Sequence, residues 1–137
     1  MEKKLVFKNI KLGFLSWLLP FGLSFVFYKP SGELTISYDL FKSLMIVLGS
    51  ITGCFLLFRY FKFVERDFIK QGVLVGVSWF LINIILDTLI LLPMMGESFS
   101  NYFVSIGLRY TVIPAISITM GYLLNRQSGM TERNLKI

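Results

Sequence analysis

The sequence contains no histidine and only one cysteine, Cys54, and these absences remove several kinds of site from consideration. A single cysteine excludes a disulfide within the chain. Without histidine, a zinc cluster and a Ser-His or Cys-His nucleophilic pair are excluded as well. The sequence also lacks a glycine-rich phosphate loop. We therefore expect no metal, no cofactor and no catalytic residue, and we predict that the chain is not an enzyme.

Charged residues are scarce. They make up 16% of the 137 residues, whereas 55% of the residues are hydrophobic and the mean hydropathy is +0.69. Soluble domains average about 25% charged and about 45–50% apolar residues. The composition therefore indicates an integral membrane protein with the lipid bilayer as its first partner. Nucleic acid is not an expected partner, because membrane topology accounts for the net charge of +6.

Four apolar segments are long enough to cross a bilayer as helices, which requires about 20 residues for a hydrocarbon core of about 30 Å. The first is expected to be retained rather than cleaved as a signal peptide, because the only alanine, Ala115, is far from the small-residue cleavage site this would require. The predicted fold is an all-α polytopic membrane protein with a four-transmembrane-helix bundle. Its spans cover residues 12–28, 40–58, 72–92 and 103–124, within one domain of residues 1–126 followed by a polar tail of residues 127–137.

The positions of the basic residues predict the orientation, since short loops rich in Lys and Arg remain in the cytoplasm. Eleven of the 14 basic residues lie before the first span, between the second and third, or after the fourth. Lys29 and Lys42 lie on the opposite side, and Arg109 lies within a span. Both termini are therefore predicted to be cytoplasmic, in a membrane that we take to be the cell membrane. The basic residues either fix this topology alone or also attract anionic lipid headgroups at the cytoplasmic face.

Two charged residues, Asp87 and Arg109, lie in the hydrocarbon region of the predicted spans, where such residues are rare and usually paired. Each is about 8–9 Å from the outer boundary at 1.5 Å per residue. Because the third and fourth helices form a hairpin, this equal depth predicts a salt bridge between Asp87 and Arg109. A polar intramembrane cluster is expected around the pair, with Asn83 and Trp79 one and two turns before Asp87, and Ser105 one turn before Arg109. Tyr110 and Thr111 are further candidates for this cluster.

Small residues and prolines predict how the helices pack. Gly49 and Gly53 in the second span, and Gly72 and Gly76 in the third, have the small-xxx-small spacing of helix contacts, either within one bundle or between subunits. Kinks are expected at Pro20 and Pro114, which remove backbone donors from apolar helices.

Around Pro20 a polar stripe is formed by Ser16 and Ser24, one turn to either side. This stripe either lines a cavity or repairs the helix by satisfying backbone groups that the proline leaves free.

Two functional interpretations remain open. In one, the chain is a small transporter or channel in which the Asp87 cluster lines a polar cavity and provides a proton or solute site. In the other, it is a structural or regulatory subunit that binds a membrane partner, or a second copy of itself, through its glycine-rich helix faces; the Asp87–Arg109 pair then only holds the last hairpin together. Size and span count resemble the small multidrug-resistance transporters, but their membrane-embedded glutamate has no counterpart in residues 12–28, so no family is assigned.

Overall fold

The structure is a computed structural model that describes the backbone of residues 2–134 and the side chains of residues 3–131. Part of the predicted tail, residues 135–137, and the side chains of Arg133 and Lys136 lie outside the described residues. The described part is helical, and a single antiparallel bridge between Tyr28 and Leu34 is its only β pairing. Its six α-helices are α1 (Glu2–Ser24), α2 (Tyr38–Phe61), α3 (Phe68–Leu86), α4 (Leu92–Met95), α5 (Phe99–Ser105) and α6 (Val112–Asn134).

Three helical segments are long and apolar enough to cross a membrane: Lys3–Phe27, Tyr38–Phe61 and Phe68–Met95. The sequence-based prediction of an all-helical membrane protein is confirmed to that extent. The third segment joins α3 to α4 through a π-helical turn, Asp87–Leu91. A fourth span is possible only as a bent pair of helices, Phe99–Ser105 and Gly107–Thr131, whose axes meet at 49°.

The predicted continuous helix over residues 103–124 is therefore wrong. The chain departs from the α-helix at Ile106, passes through a 3₁₀-helix (Gly107–Thr111), and enters α6 at Val112. Pro114 is consequently the third residue of α6, in the first turn, where a missing N–H removes no intrahelical hydrogen bond. The predicted kink at Pro114 is replaced by the break before it, whereas α1 continues through Pro20 to Ser24. At its other end α6 extends to Asn134, so the described part of the predicted tail is helical.

Helix α3 occupies the centre of the fold, packing against α6 on one side and α1 on another, while α2 packs chiefly on α1. Small residues allow α3 and α6 to approach closely. A Cβ added to Gly72 would lie 2.6 Å from the carbonyl oxygen of Ser117, and one added to Gly121 would lie 2.5 Å from that of Phe68. In addition, the Ser117 hydroxyl donates a hydrogen bond of 2.8 Å to the Gly72 carbonyl. This contact lies within the chain and uses the predicted Gly72–Gly76 face.

One end of the bundle brings together the start of α1, the α2–α3 connection and the later part of α6. The ammonium group of Lys8 lies 2.8 Å from the centre of the Phe63 ring, joining the first two. Phe68, the first residue of α3, contacts Gly121 of α6. A hydrophobic core that includes Leu57, Tyr60 and Trp79 fills the space between α1, α2 and α3 near this end. The opposite end contains the α1–α2 loop and the break between α5 and α6.

Candidate functional site: a polar network beside a cavity

The Asp87 carboxylate is the centre of a buried hydrogen-bond network. Its Oδ1 accepts a hydrogen bond of 2.6 Å from the indole N–H of Trp17. Its Oδ2 accepts two hydrogen bonds of 2.7 Å, from the hydroxyls of Tyr102 and Tyr110. Asp87 is 1% exposed and Tyr102 is fully buried. Both carboxylate oxygens are thus engaged by donors from within the protein.

Four different elements position these groups. Asp87 is the first residue of the π-helical turn that follows α3, and Trp17 lies on α1. Tyr102 lies in the middle of α5, and Tyr110 lies in the 3₁₀-helix that leads into α6. One carboxylate therefore connects α1, α3 and both sides of the break in the last helical pair. A charge-assisted hydrogen bond is stronger than one between neutral groups, which suits it to holding this irregular segment in place.

Two further layers of polar contacts join α1 to α3, at one-turn intervals from Asp87. The Asn83 amide donates to the Ser16 hydroxyl at 3.0 Å. One turn further, the Trp79 indole N–H donates to the side-chain oxygen of Asn9 at 2.7 Å. The structure thus places the predicted stripe of Trp79, Asn83 and Asp87 on the face of α3 that meets α1. No buried side-chain nitrogen or oxygen of the described residues lacks a hydrogen-bond partner.

The predicted salt bridge between Asp87 and Arg109 is absent from the described residues, where the one ion pair joins Lys29 to Glu33. The depth calculation assumed a straight fourth helix. Because the helix breaks at Ile106, the residue that reaches Asp87 is Tyr110 rather than Arg109. Within the described part of the chain, the Arg109 guanidinium forms no hydrogen bond, and it lines a cavity instead.

Two other predicted members also lie apart from the carboxylate. Ser105 donates to the backbone carbonyl of Tyr102 at 3.3 Å. Thr111 donates to the carbonyl of Leu108 at 2.7 Å and is exposed. Neither hydroxyl contacts Asp87, because both donate to carbonyls three residues back in the chain. Only Tyr110, of the residues predicted on the fourth span, joins the network.

Beside the network lies a cavity of about 200 Å³. Its walls come from α1, α2, the region around Asp87, and the segment from Ile106 into α6. Most of the lining is apolar, including Phe21, Phe41, Met45, Ile46 and Ile113. Two cationic side chains, Lys42 and Arg109, also line it, as do Asn83 and Asp87. A second pocket next to it shares Tyr38 and Lys42 and includes Glu97 and Ser105.

The predicted helix-contact face of α2 belongs to this cavity. A Cβ added to Gly49 or Gly53 would have no neighbouring atom within 4 Å, although Gly53 is buried. Within this chain these glycines therefore line the cavity and do not bring two helices together.

The stripe around Pro20 also lines the cavity. Its hydroxyls donate to carbonyls of α1: Ser16 to that of Gly13 at 2.7 Å, and Ser24 to that of Phe21 at 2.6 Å. The carbonyl that lacks a partner because of Pro20 belongs to Ser16 and receives neither bond. The structure thus supports the cavity-lining alternative for this stripe more directly than the repair of the helix.

Sequence reasoning missed Trp17, Tyr102 and Asn9 in the network and Lys42 in the cavity. For α1 a signal was present, because Asn9 and Ser16 are seven residues apart and therefore lie on one face, two helical turns from each other. Tyr102 carried no comparable signal. Its position depends on the short helix α5, which an uninterrupted fourth span would not contain.

The network and the cavity differ in what they can do. Asp87 is occupied by internal donors, so its arrangement is suited to holding helices together. The cavity presents two cationic groups and an apolar wall to whatever enters it. No protein-family model, curated protein or solved structure matches this chain, and the functional proposal therefore depends on these two features.

Proposed function

We propose that the chain is an integral membrane protein with four spans, of which the α5–α6 pair is the bent fourth, and that it binds a small solute within the membrane as a transporter or channel does. Both termini are cytoplasmic in this proposal. The observation that carries it is the cavity of about 200 Å³ between α1, α2 and the break before α6. It is larger than an engineered protein cavity of roughly 150 Å³ that binds benzene.

The orientation is supported by the end of the bundle at which the basic residues gather. Lys8 of α1 lies against Phe63 of the α2–α3 connection, and Phe68 lies against Gly121 of α6. The basic residues that predict the cytoplasmic side lie before the first span, between the second and third, and after the fourth. The helix ends that carry them meet at the same end of the bundle. In this arrangement Lys42 and the helix break lie toward the outer face.

A second proposal, a subunit that binds a partner through glycine faces, has less support. Gly72 and Gly76 are already covered by α6, and Gly49 and Gly53 line the cavity. The surfaces that motivated this alternative are thus used within the chain. A non-enzymatic function is retained, because the Asp87 carboxylate is occupied by three internal hydrogen bonds and has no second acid beside it in the spans.

The cavity is tested by filling it. Gly53→Leu places a side chain into the space beside α2, whereas Gly22→Leu, on the exposed part of α1 with open space around it, is the matched control. With protein in phosphatidylcholine nanodiscs and neutral aminoanthracene as the fluorescent probe, the wild type and Gly22→Leu are expected to bind equally. Gly53→Leu is expected to lose at least tenfold in affinity, with an unchanged circular dichroism spectrum. Equal binding by Gly53→Leu, or no saturable binding by the wild type, would contradict the proposal.

The orientation has its own test. Green fluorescent protein fused to the C-terminus is expected to fluoresce, and alkaline phosphatase fused at the same place is expected to remain inactive, because the first folds in the cytoplasm and the second outside it. The opposite pair of results would place the C-terminus on the outer side.

A further inference from the structure

We propose that the cavity binds an amphipathic anion, with its acidic head at Lys42 and Arg109 and its apolar tail directed along α2 toward Gly53. This inference rests on the proposed solute-binding function and assigns the chemical class of the solute. The head is a carboxylate or a phosphate, either of which matches a guanidinium and an ammonium group.

Arg109 has no counter-ion among the described residues. A guanidinium within a span is costly unless it is paired or hydrated. The one acid of the spans, Asp87, is occupied by Trp17, Tyr102 and Tyr110, and Arg109 forms no hydrogen bond or ion pair within the described residues. The guanidinium lines the cavity instead. Glu97, in the neighbouring pocket, forms no ion pair with Arg109, so a ligand in the cavity is placed to supply a paired negative charge.

A second cation, Lys42, lines the same cavity. The Lys42 ammonium lies 4.1 Å from the centre of the Tyr38 ring and forms no ion pair in the described part of the chain. Tyr38 begins α2, so Lys42 lies one turn inside the end of this helix. Two positive side chains from two different elements thus face one space, an arrangement that attracts an anion and repels a cation.

The remainder of the cavity is mostly apolar. From Lys42 to Gly53 the lining of α2 extends about 16 Å at 1.5 Å per residue. Phe41, Met45, Ile46 and other apolar side chains form much of the wall along this length. Burial of an alkyl chain there is favourable by about 0.8 kcal/mol per CH₂ group relative to water.

The Asp87 carboxylate determines in which direction the ligand binds. It lines the same cavity as the two cations, and its two oxygens already accept three hydrogen bonds and offer no donor to an acidic head. An amphipathic anion would therefore enter with its head at the cationic end and its tail past Asp87. A cationic ligand would be repelled at the end where Lys42 and Arg109 lie.

The experiment uses displacement of aminoanthracene from full-length protein in phosphatidylcholine nanodiscs, with decanoate and decanol as competitors of equal tail length. Arg109→Met and Lys42→Met are each expected to raise the decanoate concentration at half-displacement about tenfold, because each variant loses one charge-assisted contact. The decanol concentration at half-displacement is expected to stay unchanged. Lys29→Met is the control, since Lys29 is an exposed lysine at the same end of the bundle that pairs with Glu33 and does not line the cavity.

The outcomes separate the two proposals. If aminoanthracene and decanol bind but the two variants do not change displacement by decanoate, or change decanoate and decanol equally, the assignment of an anion is wrong while solute binding stands. If aminoanthracene itself does not bind, the proposed function fails, and this inference with it. Because Arg109 and Lys42 have no ionic partners in the described structure, both variants are expected to retain the wild-type circular dichroism spectrum.

A second arm identifies the source of the anion. Phosphatidylglycerol is added to the nanodiscs, and the change in displacement by decanoate is compared between the wild type and the double variant Lys42→Met/Arg109→Met. Competition seen only in the wild type would show that a lipid headgroup occupies the cationic end. An equal change in both proteins would show that the lipid headgroup does not compete at the cationic end, which leaves a free amphiphile as the source of the anion.

Discussion

Replacing Asp87 by leucine tests which side chains hold the buried carboxylate. Asp87→Leu removes the acceptor of three hydrogen bonds and leaves the donors of Trp17, Tyr102 and Tyr110 without a partner. Hydrogen bonds between membrane helices average about 0.6 kcal/mol and reach about 1.7 kcal/mol. Three of them give a loss of about 2–5 kcal/mol. Part of this loss is offset, because the variant no longer has to bury a carboxylate. We expect the free energy of unfolding to fall by about 1–3 kcal/mol.

The identity of the partners is tested by double-mutant cycles. Tyr102→Phe removes one hydroxyl and keeps the ring, whose centre is 6.0 Å from that of Phe99. In the Asp87→Leu background the same change removes an unpaired buried hydroxyl and costs little, so we expect a coupling energy of about 1 kcal/mol between Asp87 and Tyr102. Asp87 and Arg109 are not hydrogen bonded, so the cycle of Asp87→Leu with Arg109→Leu should give a coupling within about 0.5 kcal/mol of zero.

The measurement is unfolding of the purified protein in mixed micelles by titration with sodium dodecyl sulfate, followed by far-ultraviolet circular dichroism. The fluorescence of the two tryptophans, Trp17 and Trp79, provides an independent record, because both indoles donate hydrogen bonds in the network. The reasoning would be refuted by a coupling of Asp87 with Arg109 that exceeds its coupling with Tyr102. That result would restore the salt bridge expected from the sequence.

Two further predictions concern packing. Gly76→Ala is expected to lower the free energy of unfolding by about 1–3 kcal/mol, because its Cβ would lie 2.7 Å from the Cα of Pro114, whereas Gly49→Ala, with open space at this position, should not lower it measurably in the same titration. Tyr60→Phe is expected to cost about 1 kcal/mol by removing the hydrogen bond of 2.8 Å from its hydroxyl to Gln71, and the cost should vanish in a Gln71→Leu background.

These two predictions have distinct contrary outcomes. Equal stability of the two glycine variants would mean that α3 and α6 do not approach closely at Gly76. An undiminished cost of Tyr60→Phe in the absence of the Gln71 amide would mean that the hydroxyl acts through some other group.

Much of the helical architecture follows from the sequence, because hydropathy and length act locally. Four of the described helices, α1, α2, α3 and α6, overlap the four apolar segments, and the first three of these segments are long and apolar enough to cross a membrane. The stripe of Trp79, Asn83 and Asp87 also follows from the helical repeat alone. Helix ends are less well predicted, since α1 begins at Glu2 and α6 continues to Asn134 in polar sequence.

The partners in the candidate site could not be predicted in the same way. Counting residues from the span ends places Arg109 at the depth of Asp87, but this count is valid only for a straight helix. The departure from the α-helix at Ile106 and the 3₁₀-helix after it place Tyr110 on the carboxylate and Arg109 on the cavity. A change in helix type over a few residues thus places a tyrosine at the site, where a straight helix would place an arginine.

The glycine pairs show the same division. Gly49–Gly53 and Gly72–Gly76 have the same spacing, yet the second pair lies against α6 and the first lines the cavity. By itself the sequence determined that this chain is helical, apolar enough for a membrane and provided with one acid and one base deep within its apolar segments. Only the tertiary structure decided that the acid is satisfied by neutral donors and that the base faces a cavity, because those contacts join residues up to 70 positions apart.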